Sequence, residues 1–212
     1  MKIFGWHIIF IVLAPLTICA QPAWDSTYRP DIYHHRVQLF KTFSRSPSDV
    51  VFLGDSITFW ADWSELFGNP KYKNRGIPGD ISFGLLARIP EVMSGKPRKV
   101  FILIGINDLA RNIPRDVLIG NYSRMIDMIR SLSPRTKIFF QTMLPVNDEL
   151  NKMKSHTSKR EDILAVNNQL RHLALEKRIN FVDLYPHFID DKGKLKPEYT
   201  WDGVHLTAEG YQ

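Results

Sequence analysis

The sequence has 212 residues, 44% of them hydrophobic, with 28 Lys and Arg against 22 Asp and Glu and a formal net charge of +6. This composition excludes collagen-like, low-complexity and disordered chains, and the single cysteine excludes both an internal disulfide and a cysteine-rich zinc site. The length favours one domain, and the basic residues are scattered rather than gathered in a stripe, so we expect no nucleic-acid partner.

Residues 1–20 have the pattern of a signal peptide. Lys2 supplies the positive charge, an apolar run extends over residues 8–18, and a small residue, Ala20, stands where cleavage would occur. The apolar run is too short and too interrupted for a membrane-spanning helix. We therefore expect a mature domain of residues 21–212 that is secreted or periplasmic and has no integral membrane span.

A lipid anchor on Cys19 is the alternative for this segment. A cysteine that ends an apolar run resembles a bacterial lipoprotein signal, but Ile18 is larger than the residue that such a signal has before its cysteine. We therefore prefer cleavage after Ala20, which would remove the only cysteine.

Strands and helices are predicted in alternation after residue 21. A lead-in helix is predicted around residues 30–44. Short apolar runs rich in β-branched and aromatic residues predict buried strands at 49–53, 99–104, 137–142 and 180–184, with a weaker candidate at 72–75. Apolar residues at helical spacing predict two core-facing stripes: Leu118, Tyr122, Met125, Ile129 and Leu132, and then Ile163, Val166, Leu170 and Leu173. This alternation predicts a mostly parallel sheet covered by helices on both faces.

Reactive residue types follow the predicted strands. In sheets of this kind, ligands bind at the carboxyl ends of the strands. Gly-Asp-Ser at 54–56 follows the first strand, Gly-Ile-Pro-Gly-Asp at 76–80 the second, Gly-Ile-Asn-Asp at 105–108 the third, and Asp-Gly-Val-His at 202–205 the last. These segments are expected to meet at one edge of the sheet.

The residue types at this edge suit nucleophilic catalysis. Ser56 lies at a strand-to-helix turn that exposes its hydroxyl, which needs a base to become a good nucleophile. His205 is preceded at three residues by Asp202, a spacing that lets the carboxylate hold the imidazole tautomer that faces the serine. The N–H groups of Ser56 and Gly79 and the amide of Asn107 are candidate donors to an oxyanion.

Each motif also has a purely structural interpretation. A Gly-Asp-Ser triplet is more often a turn, Asn107, Asp108 and Asp202 are all able to cap helices, and a single histidine is usually structural. No His, Asp or Glu cluster has metal-ligand spacing, because His34 and His35 are adjacent and point apart. We therefore predict no metal and no cofactor.

Four segments together resemble the conserved blocks of the SGNH, or GDSL, hydrolases. They are residues 51–60, residues 74–80 continuing to Gly84 and Arg88, residues 104–108, and residues 202–207 with Gly210 and Tyr211. The second block and Trp60 look closest to the branch of platelet-activating-factor acetylhydrolase-like bacterial esterases. The resemblance implies a flavodoxin-like three-layer α/β/α sandwich. It also implies roles for the site residues: Ser56 as nucleophile, His205 as base, Asp202 as its orienting carboxylate, and Ser56, Gly79 and Asn107 as the oxyanion hole.

The expected activity is hydrolysis of a carboxylic ester through an acyl-enzyme, and the preferred reaction is the removal of acetyl or other short acyl groups from carbohydrate. A lysophospholipase or thioesterase-like acylhydrolase is the alternative, and a non-catalytic or nucleotide-binding module is a remote one.

The charged loop at 145–160 is interpreted as a solvated surface in preference to a receptor for an anionic substrate. Family members continue for a helix after the last block, so we expect that the sequence is truncated at Gln212 and lacks this helix. The sequence leaves the oligomeric state open.

Overall fold

The computed structural model describes residues 24–212, so the predicted signal peptide and Cys19 lie outside the described residues. Five strands form one sheet that is parallel throughout, in the order β2-β1-β3-β4-β5. The strands are β1 (Val50–Gly54), β2 (Tyr72–Gly76), β3 (Lys99–Leu103), β4 (Lys137–Gln141) and β5 (Asn180–Val182). All five predicted strands are present, and each boundary agrees with the prediction to within two residues.

Helices alternate with these strands. They are α1 (Tyr33–Thr42), α2 (Ser56–Phe59), α3 (Trp63–Leu66), α4 (Ser82–Met93), α5 (Ile106–Ala110), α6 (Arg115–Leu132), α7 (Lys154–Thr157), α8 (Arg160–Glu176), α9 (Tyr185–Phe188) and α10 (Ala208–Tyr211), with a 3-10 helix at Pro197–Tyr199. The architecture confirms the predicted flavodoxin-like α/β/α fold. No helix among residues 24–212 is both long enough and apolar enough to cross a lipid bilayer.

The main core lies between the sheet and α4, α6 and α8. Alternate residues of β1, β3 and β4 face these three helices, and the apolar stripes of α6 and α8 are buried against them. One member of the predicted α6 stripe is wrong: Leu132 is 43% exposed. It is the final residue of α6, where the chain leaves the helix toward β4.

Aromatic side chains cover the opposite face of the sheet. The Phe52 ring stacks on Trp63 of α3 at 4.0 Å and on Phe101 at 5.1 Å between ring centroids, and Phe101 stacks on Phe139 at 4.5 Å. This aromatic row crosses β1, β3 and β4. A groove of about 360 Å³ lies beside it and is bordered at one end by Tyr211 of α10.

Strand register brings the chemistry-bearing turns together. Gly54, the last residue of β1, is level with Gly76 of β2 on one side and Leu103 of β3 on the other. The turns that follow these three strands therefore leave the sheet at the same edge. Sequence analysis did not identify α4, which follows β2, because Gly84 and Pro90 are poor helix formers.

Candidate active site

Ser56, His205 and Asp202 form a continuous hydrogen-bonded chain. Ser56 is the first residue of α2, directly after β1, and Asp55 caps that helix by accepting the Ile57 N–H at 3.0 Å. Ser56 Oγ lies 2.9 Å from His205 Nε2, and His205 Nδ1 lies 2.6 Å from Asp202 Oδ2. The carboxylate thus selects the tautomer in which Nδ1 carries the proton and Nε2 is free to accept one from the serine.

The turn that carries Asp202 and His205 is tightly specified. Asp202 Oδ1 accepts the N–H groups of Val204 and His205 at 2.9 and 2.8 Å, so this carboxylate caps its own turn. Gly203 has φ +91°, and a Cβ there would lie 2.1 Å from the Asn147 carbonyl oxygen. Only glycine fits both the backbone conformation and this close approach.

Hydrogen bonds keep Asp202 ionised. Burial acts to raise its pKa, but the His205 side chain and the N–H groups of His205 and Val204 together hold that pKa below its ordinary value. A charged Asp202 is the form that orients the imidazole and stabilises an imidazolium.

Three candidate oxyanion donors border the same pocket as Ser56 and His205. The pocket has a volume of about 530 Å³ and is lined by Gly79 and Asn107 as well. The N–H groups of Ser56 and Gly79 have no hydrogen-bond acceptor within residues 24–212. Gly79 has φ +76°, a conformation that favours glycine, and it turns the chain at the end of β2 toward the pocket.

A buried ion pair supports Asn107 from behind. Asn107 Nδ2 donates to the Asp80 carbonyl oxygen at 3.0 Å, and Asp80 Oδ2 accepts from Arg88 Nε at 2.9 Å. Arg88 is fully buried and also donates to the carbonyl oxygens of Arg75 and Gly54 at 2.6 and 2.8 Å. One guanidinium therefore ties α4 to the carboxyl ends of β1 and β2.

Two further buried carboxyls, those of Asp55 and Asp108, lie near this ion pair. Burial raises the pKa of Asp55 and that of Asp108 to about 7 in each case. Asp108 accepts the Ser82 N–H at 3.0 Å and the Ser82 hydroxyl at 2.5 Å. It therefore caps α4, which is a neighbouring helix, rather than the helix α5 that contains it.

Several residues at the site were not assigned to it from the sequence. His156 Nε2 lies 3.0 Å from Asn107 Oδ1, so the charged loop that contains it is more than a solvated surface. Arg111 also lines the pocket. Trp60 lines it with a side chain 55% exposed, and Trp201 stacks on His205 at 5.5 Å while remaining 46% exposed. Sequence separation hid these contacts, because Asn107 and His156 are 49 positions apart in the sequence.

Residues 24–212 contain no group of three or more His, Cys, Asp or Glu side chains placed to hold a metal ion. The site offers three kinds of protein group for chemistry. These are a hydroxyl with an adjacent base, an ionised carboxylate behind the base, and hydrogen-bond donors facing the same pocket.

A parallel sheet with Ser, His and Asp assembled at its strand ends is the arrangement of the SGNH class of hydrolases. Residues 52–212 match the profile of the GDSL-like Lipase/Acylhydrolase family. The chain belongs to this family, which is a family of carboxylic ester hydrolases, and the resemblance seen in the motifs is confirmed.

The chain is similar to several known proteins. A solved structure from Streptococcus pneumonia, provisionally described as a platelet activating factor, is 32% identical with a TM-score of 0.77, covering 85% of this chain and 86% of that one. The isoamyl acetate-hydrolyzing esterase of Saccharomyces cerevisiae is 25% identical over 150 residues, which is 65% of this chain and 63% of the yeast protein. An N-acylneuraminate cytidylyltransferase of Streptococcus agalactiae is 23% identical over 169 residues, or 80% of this chain. The match spans only 37% of that cytidylyltransferase.

Proposed function

We propose that the protein hydrolyses carboxylic esters through an acyl-enzyme on Ser56. The observation that carries this proposal is the chain of contacts from Ser56 Oγ to His205 Nε2 at 2.9 Å and from His205 Nδ1 to Asp202 at 2.6 Å. Ser56 Oγ attacks the ester carbonyl carbon while its proton passes to His205 Nε2. The carbonyl oxygen becomes an oxyanion, which the Ser56 N–H, the Gly79 N–H and the Asn107 amide stabilise.

Loss of the alcohol completes the acylation of Ser56, and water then hydrolyses the acyl-enzyme. The imidazolium of His205, stabilised by Asp202, gives its proton to the departing alcohol, and the acyl group stays on Ser56. Water then gives a proton to His205 Nε2 as its oxygen attacks the acyl carbonyl carbon. Collapse of this second oxyanion releases the acid, and the proton returns from His205 to Ser56 Oγ.

We propose short acyl groups on carbohydrate, acetyl above all, as the substrate class. Trp60 lines the pocket of Ser56, Trp201 stacks on His205, and both residues are about half exposed. Aromatic rings at such a site suit the apolar face of a sugar ring. The name of the yeast relative describes hydrolysis of an acetate ester, which favours acetyl as the acyl group.

A longer acyl chain is the second candidate, as in a lysophospholipase or thioesterase. It is favoured by the apolar groove of about 360 Å³, which is lined by Ile57 and Leu206. These two residues directly follow Ser56 and His205 in the sequence.

An acyl-chain-length series distinguishes these candidates. The wild-type protein is assayed with chromogenic esters from acetyl to long chain and with acetylated sugars, and Ser56→Ala is the control. We expect the highest kcat/KM with acetyl esters, release of acetate from the sugars, and no turnover by Ser56→Ala. Preference for long chains would overturn the carbohydrate assignment. Absence of turnover on every ester would favour a binding module instead.

We also propose that residues 1–20 direct export and are removed, leaving one domain at 21–212. The mass of the protein recovered from the periplasm or medium of an expressing bacterium tests this proposal. We expect a mature chain that begins at Gln21. A chain that begins at Cys19 and carries acyl groups would support the lipid anchor, and a full-length cytoplasmic chain would contradict both.

A further inference from the structure

We infer that His156 is a positioning residue that fixes the amide of Asn107 for oxyanion stabilisation. This inference rests on the proposed esterase function and assigns a role to a residue outside the motif blocks. His156 lies on α7, in the loop between β4 and α8, and Asn107 lies on α5. Their side chains meet where His156 Nε2 lies 3.0 Å from Asn107 Oδ1.

Hydrogen-bond partners determine which atom of each side chain donates. Asn107 Nδ2 contacts the carbonyl oxygen of Asp80, which only accepts, so the amide atom that faces His156 is the oxygen. His156 Nε2 must therefore carry a proton and donate it to Asn107 Oδ1. His156 Nδ1, at 3.1 Å from Ser155 Oγ, then accepts the proton of that hydroxyl.

The surroundings of His156 favour this neutral tautomer. Its ring is partly buried in the pocket wall, where burial and the nearby groups His205 and Arg111 lower the pKa of His156, and Asp202 opposes them. A neutral His156 leaves the pocket free of a second imidazolium when His205 takes the proton from Ser56. The geometry alone requires only the Nε2 proton, which both the neutral tautomer and the cation would supply.

The Asn107 amide is thereby held at both ends. Oδ1 accepts from His156, one Nδ2 proton goes to the Asp80 carbonyl, and the second Nδ2 proton is left for the substrate oxygen. Without His156, the amide is free to rotate and to present Oδ1, which would repel the oxyanion. The hydrogen bond to Oδ1 also polarises the amide and strengthens its N–H as a donor.

A double-mutant cycle between His156 and Asn107 tests the inference, with p-nitrophenyl acetate as the substrate. The variants are His156→Ala, Asn107→Ala and the double variant, and His172→Ala, at an exposed position on α8, is the matched control. We expect His156→Ala to lower kcat about tenfold with KM little changed, since one positioning hydrogen bond is lost. In the Asn107→Ala background the same change should lower kcat by less than about twofold, because nothing remains to be positioned.

A conservative variant separates positioning from a merely structural role. The Nε2 of a glutamine at 156 is able to donate to Asn107 Oδ1, so His156→Gln should restore most of the lost kcat. If His156→Ala lowers the Tm, His156→Leu replaces it, since leucine fills the space without a donor. Independent, multiplicative losses in the cycle would overturn the inference, as would His156→Gln no more active than the variant without a donor.

The same assays separate this inference from the proposed function. Turnover by the wild-type protein that Ser56→Ala abolishes supports the esterase mechanism, whatever the cycle shows. Independent losses together with Ser56-dependent turnover would therefore reject only the role of His156. Turnover that survives in Ser56→Ala would reject the mechanism itself.

Discussion

The Asn107 side chain makes hydrogen bonds to two other parts of the site. It accepts from His156, donates to the Asp80 carbonyl and is 8% exposed to the pocket. If it stabilises the oxyanion, its removal should affect the transition state far more than substrate binding. Its contribution is therefore measurable as a loss in kcat.

We predict that Asn107→Ala lowers kcat by roughly 10²–10³-fold, the usual loss for one oxyanion-hole donor, with KM little changed. Steady-state kinetics on a short ester measure this effect. Asn168→Ala, at an exposed position of α8, is the matched control and should leave kcat unchanged. A rise in KM with kcat preserved would mean that Asn107 binds the ground state instead.

Asp55 gives a prediction about stability. Its carboxyl is fully buried, and its pKa is raised to about 7, so between about pH 4 and 7 the folded state binds a proton that the unfolded state has lost. Its contribution to the unfolding free energy therefore declines as pH rises through this window and is constant above it. Asp55→Asn has no carboxyl group to titrate. Between about pH 4 and 7, its unfolding free energy should therefore decline with pH by roughly 1 kcal/mol per pH unit less than that of the wild-type protein.

Urea unfolding of Asp55→Asn at intervals from pH 4 to 8 measures this slope against the wild-type protein. Asp31→Asn, at an exposed position, is the control and should reproduce the wild-type curve. Parallel curves for Asp55→Asn and wild type would show that Asp55 does not titrate in this range.

At the residue scale, local motifs predicted the parts of the site that lie next to strand ends. Ser56, Gly79 and Asn107 each lie within four residues of the end of a strand, so the predicted strands placed them at one edge of the sheet. His156 gave no comparable signal, because its contact with Asn107 depends on how the loop after β4 folds back across the site. Its neighbours in the sequence are charged and gave the appearance of a solvated segment.

At the element scale, α4 is anchored by charge as well as by its apolar face. Arg88 lies among Leu85, Leu86 and Ile89, and its guanidinium bonds Asp80 and the ends of β1 and β2. Arg88→Leu would leave the buried Asp80 carboxyl without its cationic partner and would remove one donor from each of the Arg75 and Gly54 carbonyl oxygens. We predict that it lowers the unfolding free energy by about 3–5 kcal/mol, the cost of breaking a buried pair from one side.

Denaturant unfolding of Arg88→Leu measures this loss. The control is Lys177→Ala, which removes a surface ion pair with Asp127 at 3.4 Å and should cost no more than about 1 kcal/mol. Equal losses in the two variants would contradict a structural role for the buried pair. Sequence analysis recognised Arg88 as part of a motif but not its function as an anchor, because only the fold brings the strand ends to it.

Hydrophobic patterning predicted most other elements. Strands buried on both faces have continuous apolar runs, and α6 and α8 have apolar stripes, so both types stand out in the sequence. The short helices α3, α7 and α9 have four residues each, too few to show a period. Their positions follow from tertiary packing, which a local pattern does not contain.

At the scale of the whole molecule, one sheet joins every part of the described chain. The core formed with α4, α6 and α8 is continuous across β1, β3 and β4. We predict that the protein unfolds in a single cooperative transition, with far-ultraviolet circular dichroism and tryptophan fluorescence giving the same midpoint. Two separated transitions would contradict the proposed single domain.

The fold class was predictable at this scale because α/β alternation permits few architectures. The substrate was not, since it depends on loops that surround the strand ends. Trp60 and Trp201 lie 141 positions apart in the chain numbering, and only the folded structure shows both beside the serine and the histidine.

Covalent labelling of the nucleophile tests the central claim most directly. The wild-type protein and Ser56→Ala are treated with a serine-directed phosphonate, and the adduct is located by peptide mass spectrometry. The account predicts one adduct, on the peptide that contains Ser56, and none in Ser56→Ala. An adduct on another residue, or labelling that persists in Ser56→Ala, would contradict it.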